Sequence, residues 1–359
     1  MCSMNASGRA SHGAACMGKR FEWPTLLLVA VTYLLWALAT TYLAALWLPG
    51  AVILAGICIA QHSSLSHEVL HGHPFRNQRL NEALVFPCLT LFVPYYRFRD
   101  THLAHHNDAN LTDPYDDPES NFVDPAAWAK MSAARRAELG FNNTLLGRML
   151  IGPLIALRAF YASDIRMIRA RNGPVRRAWL AHIPAVCMVL AWVWAAPMPL
   201  WAYVIAAYLG LSLLKIRTFL EHRAHDRSSG RTVVIEDRGP LALLFLNNNY
   251  HVVHHMHPKV AWYALPGAFA QNRAHYMTRN DGYHYGSYAT IFRRYFLRAK
   301  DPVPHPLWPP RRAVSPQRMG GDLSDGERGF PHRHCGKTGP RRAGLGHPRV
   351  PRFRPEPPR

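Results

Sequence analysis

Residues 25 to 61 read TLLLVAVTYLLWALATTYLAALWLPGAVILAGICIAQ, without one charged side chain. At ~1.5 Å rise per residue, a hydrocarbon core ~30 Å thick takes about 20 helical residues, so this run is too long for one crossing. Pro49 and Gly50 supply a break. The stretch is expected to form two antiparallel transmembrane helices. The second, from Gly50 to His67, is about 27 Å long and brings His67 out at the far membrane face.

The pattern returns at 178 to 196 and 198 to 216, where Ala195-Ala196-Pro197-Met198-Pro199 makes an almost wholly apolar turn. The expected fold is therefore all-α and integral to a membrane, with four spans in two hairpins. Lys19 and Arg20 precede the first span. Arg166, Arg169, Arg171, Arg176 and Arg177 lie between the hairpins, and Lys215, Arg217 and Arg223 follow the last. By the positive-inside rule all of these segments, and both termini, are expected on the cytoplasmic side of an inner membrane. Leu84 to Tyr96 is apolar but too short to span, and Leu145 to Tyr161 is interrupted by Arg148 and Arg158. Both are expected to be interfacial or re-entrant.

The 359-residue chain carries a net charge of +20. From Pro302 onward there are twelve Lys and Arg against four Asp and Glu, with 13 of the 29 prolines and no periodicity. The expected layout is a cytoplasmic segment (1–22), a membrane domain (23–300) and a disordered basic tail rich in Pro, Arg and Gly (301–359). The remaining positive charge borders the apolar blocks, which fits anionic lipid headgroups better than nucleic acid. The six cysteines include no C-x-x-C pair, so no disulfide framework, zinc knuckle or iron–sulfur site is expected. The first twenty residues lack the pattern of a cleavable secretory signal.

Among 21 histidines, eight fall in three clusters: His67-Glu-Val-Leu-His71, His102-Leu-Ala-His105-His106 and His251-Val-Val-His254-His255. Positions i, i+3 and i+4 share a helix face, so each cluster can aim two or three imidazoles at a common point. Glu221-His222-Arg223-Ala224-His225 follows the last apolar block and adds a ninth donor, from His222 or His225. Nine nitrogen donors exceed one ion's coordination and suit two ions with four to five each. Imidazole alone leaves iron, zinc and copper open. A site at the membrane face fed by an apolar substrate points to oxygen activation and a redox metal. Zinc hydrolysis has little use there, and an ion transporter would place ionisable residues within its spans, where these blocks have almost none.

The run Asp113-Pro-Tyr-Asp-Asp-Pro-Glu-Ser120 is an acidic island. It could receive an electron donor, hydrogen-bond to metal-bound imidazoles, or form a solvated turn. Asp100, Asn107, Asp108 and Asn247-Asn248-Asn249 are further candidates to accept from imidazole N–H groups, as His73 and His257 are to support the site. His62, His182 and His284 are read as ordinary hydrogen-bonded histidines.

The three histidine boxes, their order and the hairpins between them resemble the membrane fatty acid desaturase family, within the integral membrane desaturase and hydroxylase superfamily, over roughly residues 25 to 295. His71-Gly-His73-Pro-Phe-Arg-Asn, Tyr96-Arg-Phe-Arg-Asp-Thr-His102 and His255-Met-His257-Pro with Trp262-Tyr-Ala-Leu-Pro266 are similar to bacterial members. The resemblance implies four spans beneath a helical cytosolic cap holding two non-haem iron ions, with O2 as co-substrate. It also implies a fatty acyl substrate and a ferredoxin- or rubredoxin-like electron donor with its reductase. No dinucleotide-binding loop or haem-attachment motif is present, in keeping with a separate donor. The implied reaction is desaturation of an acyl lipid or thioester. Hydroxylation or ketolation of an alkane, sterol or carotenoid uses the same scaffold.

Overall fold

The computed structural model describes residues 21–106 and 111–308. Helix α1 (Trp23–Leu38) continues through a π-helical turn, Ala39–Leu43, to Leu46, and α2 (Leu48–Leu70) returns antiparallel to it. The break falls on Trp47, with φ −154° and ψ 89°, ahead of the expected Pro49 and Gly50. Proline lacks an N–H that the first helical turn would leave unbonded anyway, so Pro49 begins α2 rather than interrupting it. Gly50 gives the Trp47 ring room to fold back: a Cβ there would lie 2.2 Å from the ring.

Beyond the first hairpin come α3 (Tyr95–His105), α4 (Gly152–Arg169), α5 (Gly173–Ala195) and α6 (Leu200–Thr218). Helix α5 starts earlier than expected because the Asn172 side chain caps it by accepting from the Val175 N–H. Among the described residues, Trp23–Leu46 and helices α2, α5 and α6 are the four helical segments long and apolar enough to cross a bilayer. Leu34, Leu180, Ile183, Trp194 and Ile205 stand exposed on them, as lipid-facing side chains do.

Small residues set the crossing of α2 and α6. A Cβ on Gly56 would meet Leu209 at 2.9 Å, and one on Gly210 would meet Ile59 at 2.7 Å, so the backbones approach closely at this pair. The neighbouring core includes Trp36, Ala55, Ile59, Tyr203 and Ala206. Within it Trp36 Nε1 donates to Tyr203 Oη at 3.2 Å, and that hydroxyl donates to the Leu89 carbonyl at 2.9 Å.

Residues 85–94 are largely irregular, and side chains from the spans satisfy their carbonyls. Tyr203 donates to Leu89 O at 2.9 Å and His182 Nε2 lies 3.0 Å from Leu91 O. Irregular backbone is tolerated at membrane depth only when protein satisfies it in this way. The second short apolar stretch divides into a helix at Leu145–Leu150 and the start of α4. After α6 the chain forms short helices, including α7 (His251–Met256), and one small departure from an all-helical fold: Val234–Ile235 pairs in parallel with His284–Tyr285. Residues 301–308 belong to the same compact unit as the membrane domain, and the His305 N–H donates to Val123 O at 2.9 Å. The rest of the expected tail, and most of the expected N-terminal segment, lie outside the described residues.

Candidate metal centre

His67 lies in the last turn of α2 and His71 caps its C-terminus. His102 and His105 occupy the last turn of α3, and His106 is its C-cap. His251, His254 and His255 stand on α7. His222 lies outside any helix, just beyond α6, and is held by a bridge to Thr232: Arg223 N–H donates to Arg231 O at 3.0 Å and Val233 N–H to Glu221 O at 3.1 Å. The close α2–α6 crossing thus brings the ends that carry His67, His71 and His222 together.

The nine imidazoles form two groups, one of His67, His71, His102, His106 and His254, the other of His105, His222, His251 and His255. Within each group the nitrogen donors lie within 4.8 Å of one another. The boxes do not each aim at one point, as the spacing suggests. His102 and His106 go to one group and His105 to the other, while His251 and His255 share a group and His254 crosses over. Helical geometry accounts for this: at about 100° per residue, i+3 and i+4 fall on opposite sides of i, so a three-histidine box can serve two centres.

The donor set fits metal ions. Nε2 of His105 lies 2.8 Å and Nε2 of His251 3.1 Å from Nε2 of His222; His106 Nε2 is 3.0 Å from that of His102 and 3.2 Å from that of His254. Two facing Nε2 atoms can share only one proton, so hydrogen bonding cannot satisfy whole groups. The buried Nε2 atoms of His67 and His71 have no hydrogen-bond partner among the described residues. Buried lone pairs converging in this manner suit a cation.

Outer groups orient the rings. Glu119 Oε1 lies 2.9 Å from His102 Nδ1, Asp117 Oδ1 2.7 Å from His105 Nδ1, and Asn248 Oδ1 3.2 Å from His251 Nδ1. Each oxygen accepts from an Nδ1–H, which leaves Nε2 as the lone-pair donor. Asn248 in turn donates to Glu221 Oε1 at 2.8 Å, and Glu221 faces Arg217 at 3.1 Å. Burial, then crowding by neighbouring imidazoles, holds His71, His106, His222, His251 and His254 well below the ordinary imidazole range, so these rings are neutral. Burial acts the same way on His105, but Glu119 and Asp117 outweigh it and push the ring up to about 9. A metal held there would take the place of that proton.

His225 joins neither group. Its Nε2 bonds Asp281 Oδ2 at 3.0 Å, so of the two alternatives after α6 the geometry gathers His222 alone. The acidic island supplies Asp117 and Glu119 to imidazoles, as one of the alternatives for it expects. Among the three asparagines only Asn248 reaches a clustered ring; Asn247 and Asn249 bond backbone carbonyls. His73 bonds Glu22 at 2.7 Å and Asp100 pairs with Arg99 at 3.0 Å, while His257 is exposed. His62 lies 3.1 Å from the Tyr33 hydroxyl and His284 2.9 Å from Glu236, as ordinary bonded histidines do. Asn107 and Asp108 lie outside the described residues. Sequence reading missed the Glu221–Arg217 pair, although Glu221 adjoins the His222 motif.

A cavity of about 620 Å³ opens beside the second group, with His222 in its wall and Ile155, Leu157, Phe160, Leu211 and Leu214 among its apolar lining.

A sequence profile described as fatty acid desaturase matches residues 42–288. Over 219 residues the chain is 26% identical to a beta-carotene ketolase of Paracoccus sp. (strain N81106 / MBIC 01143), covering 59% of this chain and 72% of that protein. It is 28% identical over 253 residues to a beta-carotene ketolase of Paracoccus sp. (strain PC1), covering 67% of this chain and 86% of that one. With the profile spanning most of its length, four apolar helices and two histidine groups at their ends, this multi-pass membrane chain belongs to the fatty acid desaturase family.

Proposed function

We propose that the protein is an O2-dependent membrane oxidase of the di-iron type that introduces a C=C bond into a fatty acyl chain. The observation that carries this reading is the division of nine buried or half-buried imidazoles into a group of five and a group of four beside a cavity with part of its wall apolar. His67, His71, His102, His106 and His254 would hold one iron ion, and His105, His222, His251 and His255 the other. Iron, when bound, supplies the redox chemistry that couples O2 to removal of hydrogen from an unactivated C–H bond. The chain's own residues do the rest. Asp117, Glu119 and Asn248 fix the ring tautomers, the α2 and α6 ends hold the rings in place, and the apolar part of the cavity wall, with Ile155, Leu157, Phe160, Leu211 and Leu214, aligns the substrate's chain. Electrons come from a separate ferredoxin- or rubredoxin-like donor with its reductase, and the metal face is cytoplasmic, as the flanking arginines indicate.

The two relatives' name supports a second reading, in which the oxidised carbon gains oxygen and the substrate is a carotenoid. Product analysis separates the two. The protein is expressed with iron and a donor system in a host fed acyl lipids or carotenoids, and products are weighed by mass spectrometry under O2 and under nitrogen. An O2-dependent acyl product lacking two hydrogens is expected. An oxygenated carotenoid with unchanged acyl chains would replace the first reading by the second.

A further inference from the structure

Five Arg and Lys side chains and five carboxylates line the cavity, and their pairing leaves two cations over. Arg97 is bound by Asp164 at 2.9 Å, Arg217 faces Glu221 at 3.1 Å and Lys300 lies 3.5 Å from Asp301. Asp117 and Glu119 are engaged by His105 and His102. Arg148, although buried, bonds only neutral oxygens, the Asn142 carbonyl at 2.9 Å and the Asn121 side chain. Lys215 stands near the end of α6 and has no carboxylate within 4.0 Å among the described residues. An ammonium group at the end of a membrane span is costly unless it meets an anion or serves a function. A guanidinium buried without a carboxylate is likewise poised for one.

We propose that Lys215 and Arg148 form an anion-binding end of the cavity, and that its occupant is an amphiphile: one anionic head, carboxylate or phosphate, on a long apolar chain. A hydrocarbon without charge would leave both cations without a directly contacting carboxylate. The inference rests on the reading that this cavity receives the substrate, and it narrows that substrate to acyl chains bearing a free anionic group.

The test measures binding of radiolabelled palmitate, hexadecyl phosphate, methyl palmitate and β-carotene to the full-length protein in phosphatidylcholine nanodiscs. Palmitate or hexadecyl phosphate should bind at least about tenfold more tightly than the neutral ester, the scale of a charge-assisted hydrogen bond. The tighter of the two names the head group. Lys215→Met should abolish most of that preference while leaving ester affinity, metal content and melting temperature unchanged. Arg148→Lys, which keeps the charge, should retain it. Equal binding of acid and ester, or a preference indifferent to Lys215→Met, overturns the proposal. Lys215-dependent anion binding by a protein that oxidises no lipid would leave the anion site standing and remove the oxidase reading instead.

Discussion

Asp117 and Glu119 each face the Nδ1 of a clustered histidine, at 2.7 and 2.9 Å, and so decide which nitrogen points inward. Asp117→Asn and Glu119→Gln keep the shape but weaken the orienting acceptor, so each should lower metal affinity about 10- to 100-fold with little change in helix content. Competition against a graded chelator, with circular dichroism as the control, checks this. His222→Ala should cost one of two ions, because the group of four has no spare donor. His225→Ala should leave metal content unchanged, since that ring bonds Asp281. The boxes were legible because i, i+3 and i+4 spacing is a local property of a helix. The choice between His222 and His225 was not, because it depends on the bridge between His222 and Thr232, a tertiary contact with no periodicity behind it. The acidic island announced itself by composition, but which carboxylates turn inward is a matter of loop conformation.

At the scale of elements, α3 and its C-cap carry three histidines, and α3 is anchored by Arg97, whose guanidinium meets both Asp164 oxygens at 2.9 Å while Trp179 Nε1 donates to the same carboxylate at 2.8 Å. This ties the second box to α4 and α5. Removing the acid strands a buried guanidinium, so Asp164→Ala should cost about 3–5 kcal/mol and reduce iron retention together with thermal stability. Thermal unfolding in detergent, followed by metal analysis, measures both. The α2–α6 crossing is equally specific. Gly210→Leu would drive a side chain into Ile59, and a destabilisation of about 1–3 kcal/mol with lower metal content is expected. The four spans were legible from length and apolarity. Their ends shifted where local chemistry overrode pattern: Pro49 started a helix, and Asn172 capped one early. The Arg97–Asp164 pair joins positions far apart in the chain, and nothing in the local sequence marks either residue as the other's partner.

For the whole molecule, both hairpins return to the side that holds the histidines, so the turns at Trp47 and at Pro197 share the opposite side. Among the described residues arginines flank the histidine side and not the two turns, so the proposed orientation, by the positive-inside rule, has that side facing the cytoplasm. A reporter active only in the cytoplasm should work when fused after Arg171 and fail when fused after Pro197; the reverse pattern would invert the topology. The four-helix layout could be read from hydropathy. The cavity could not, because its walls come from α2, α3, α4, α6 and the segment near Lys300, and only folding assembles them. The central claim is that the nine imidazoles hold two metal ions in separate groups. The most direct measurement is iron per chain in protein purified after expression in iron-replete medium, alongside His254→Ala and His255→Ala, one variant in each group. Two ions per chain in the parent, with reduced occupancy of a different site in each variant by Mössbauer spectroscopy, is the predicted result. A single ion per chain, or identical loss in both variants, would contradict it.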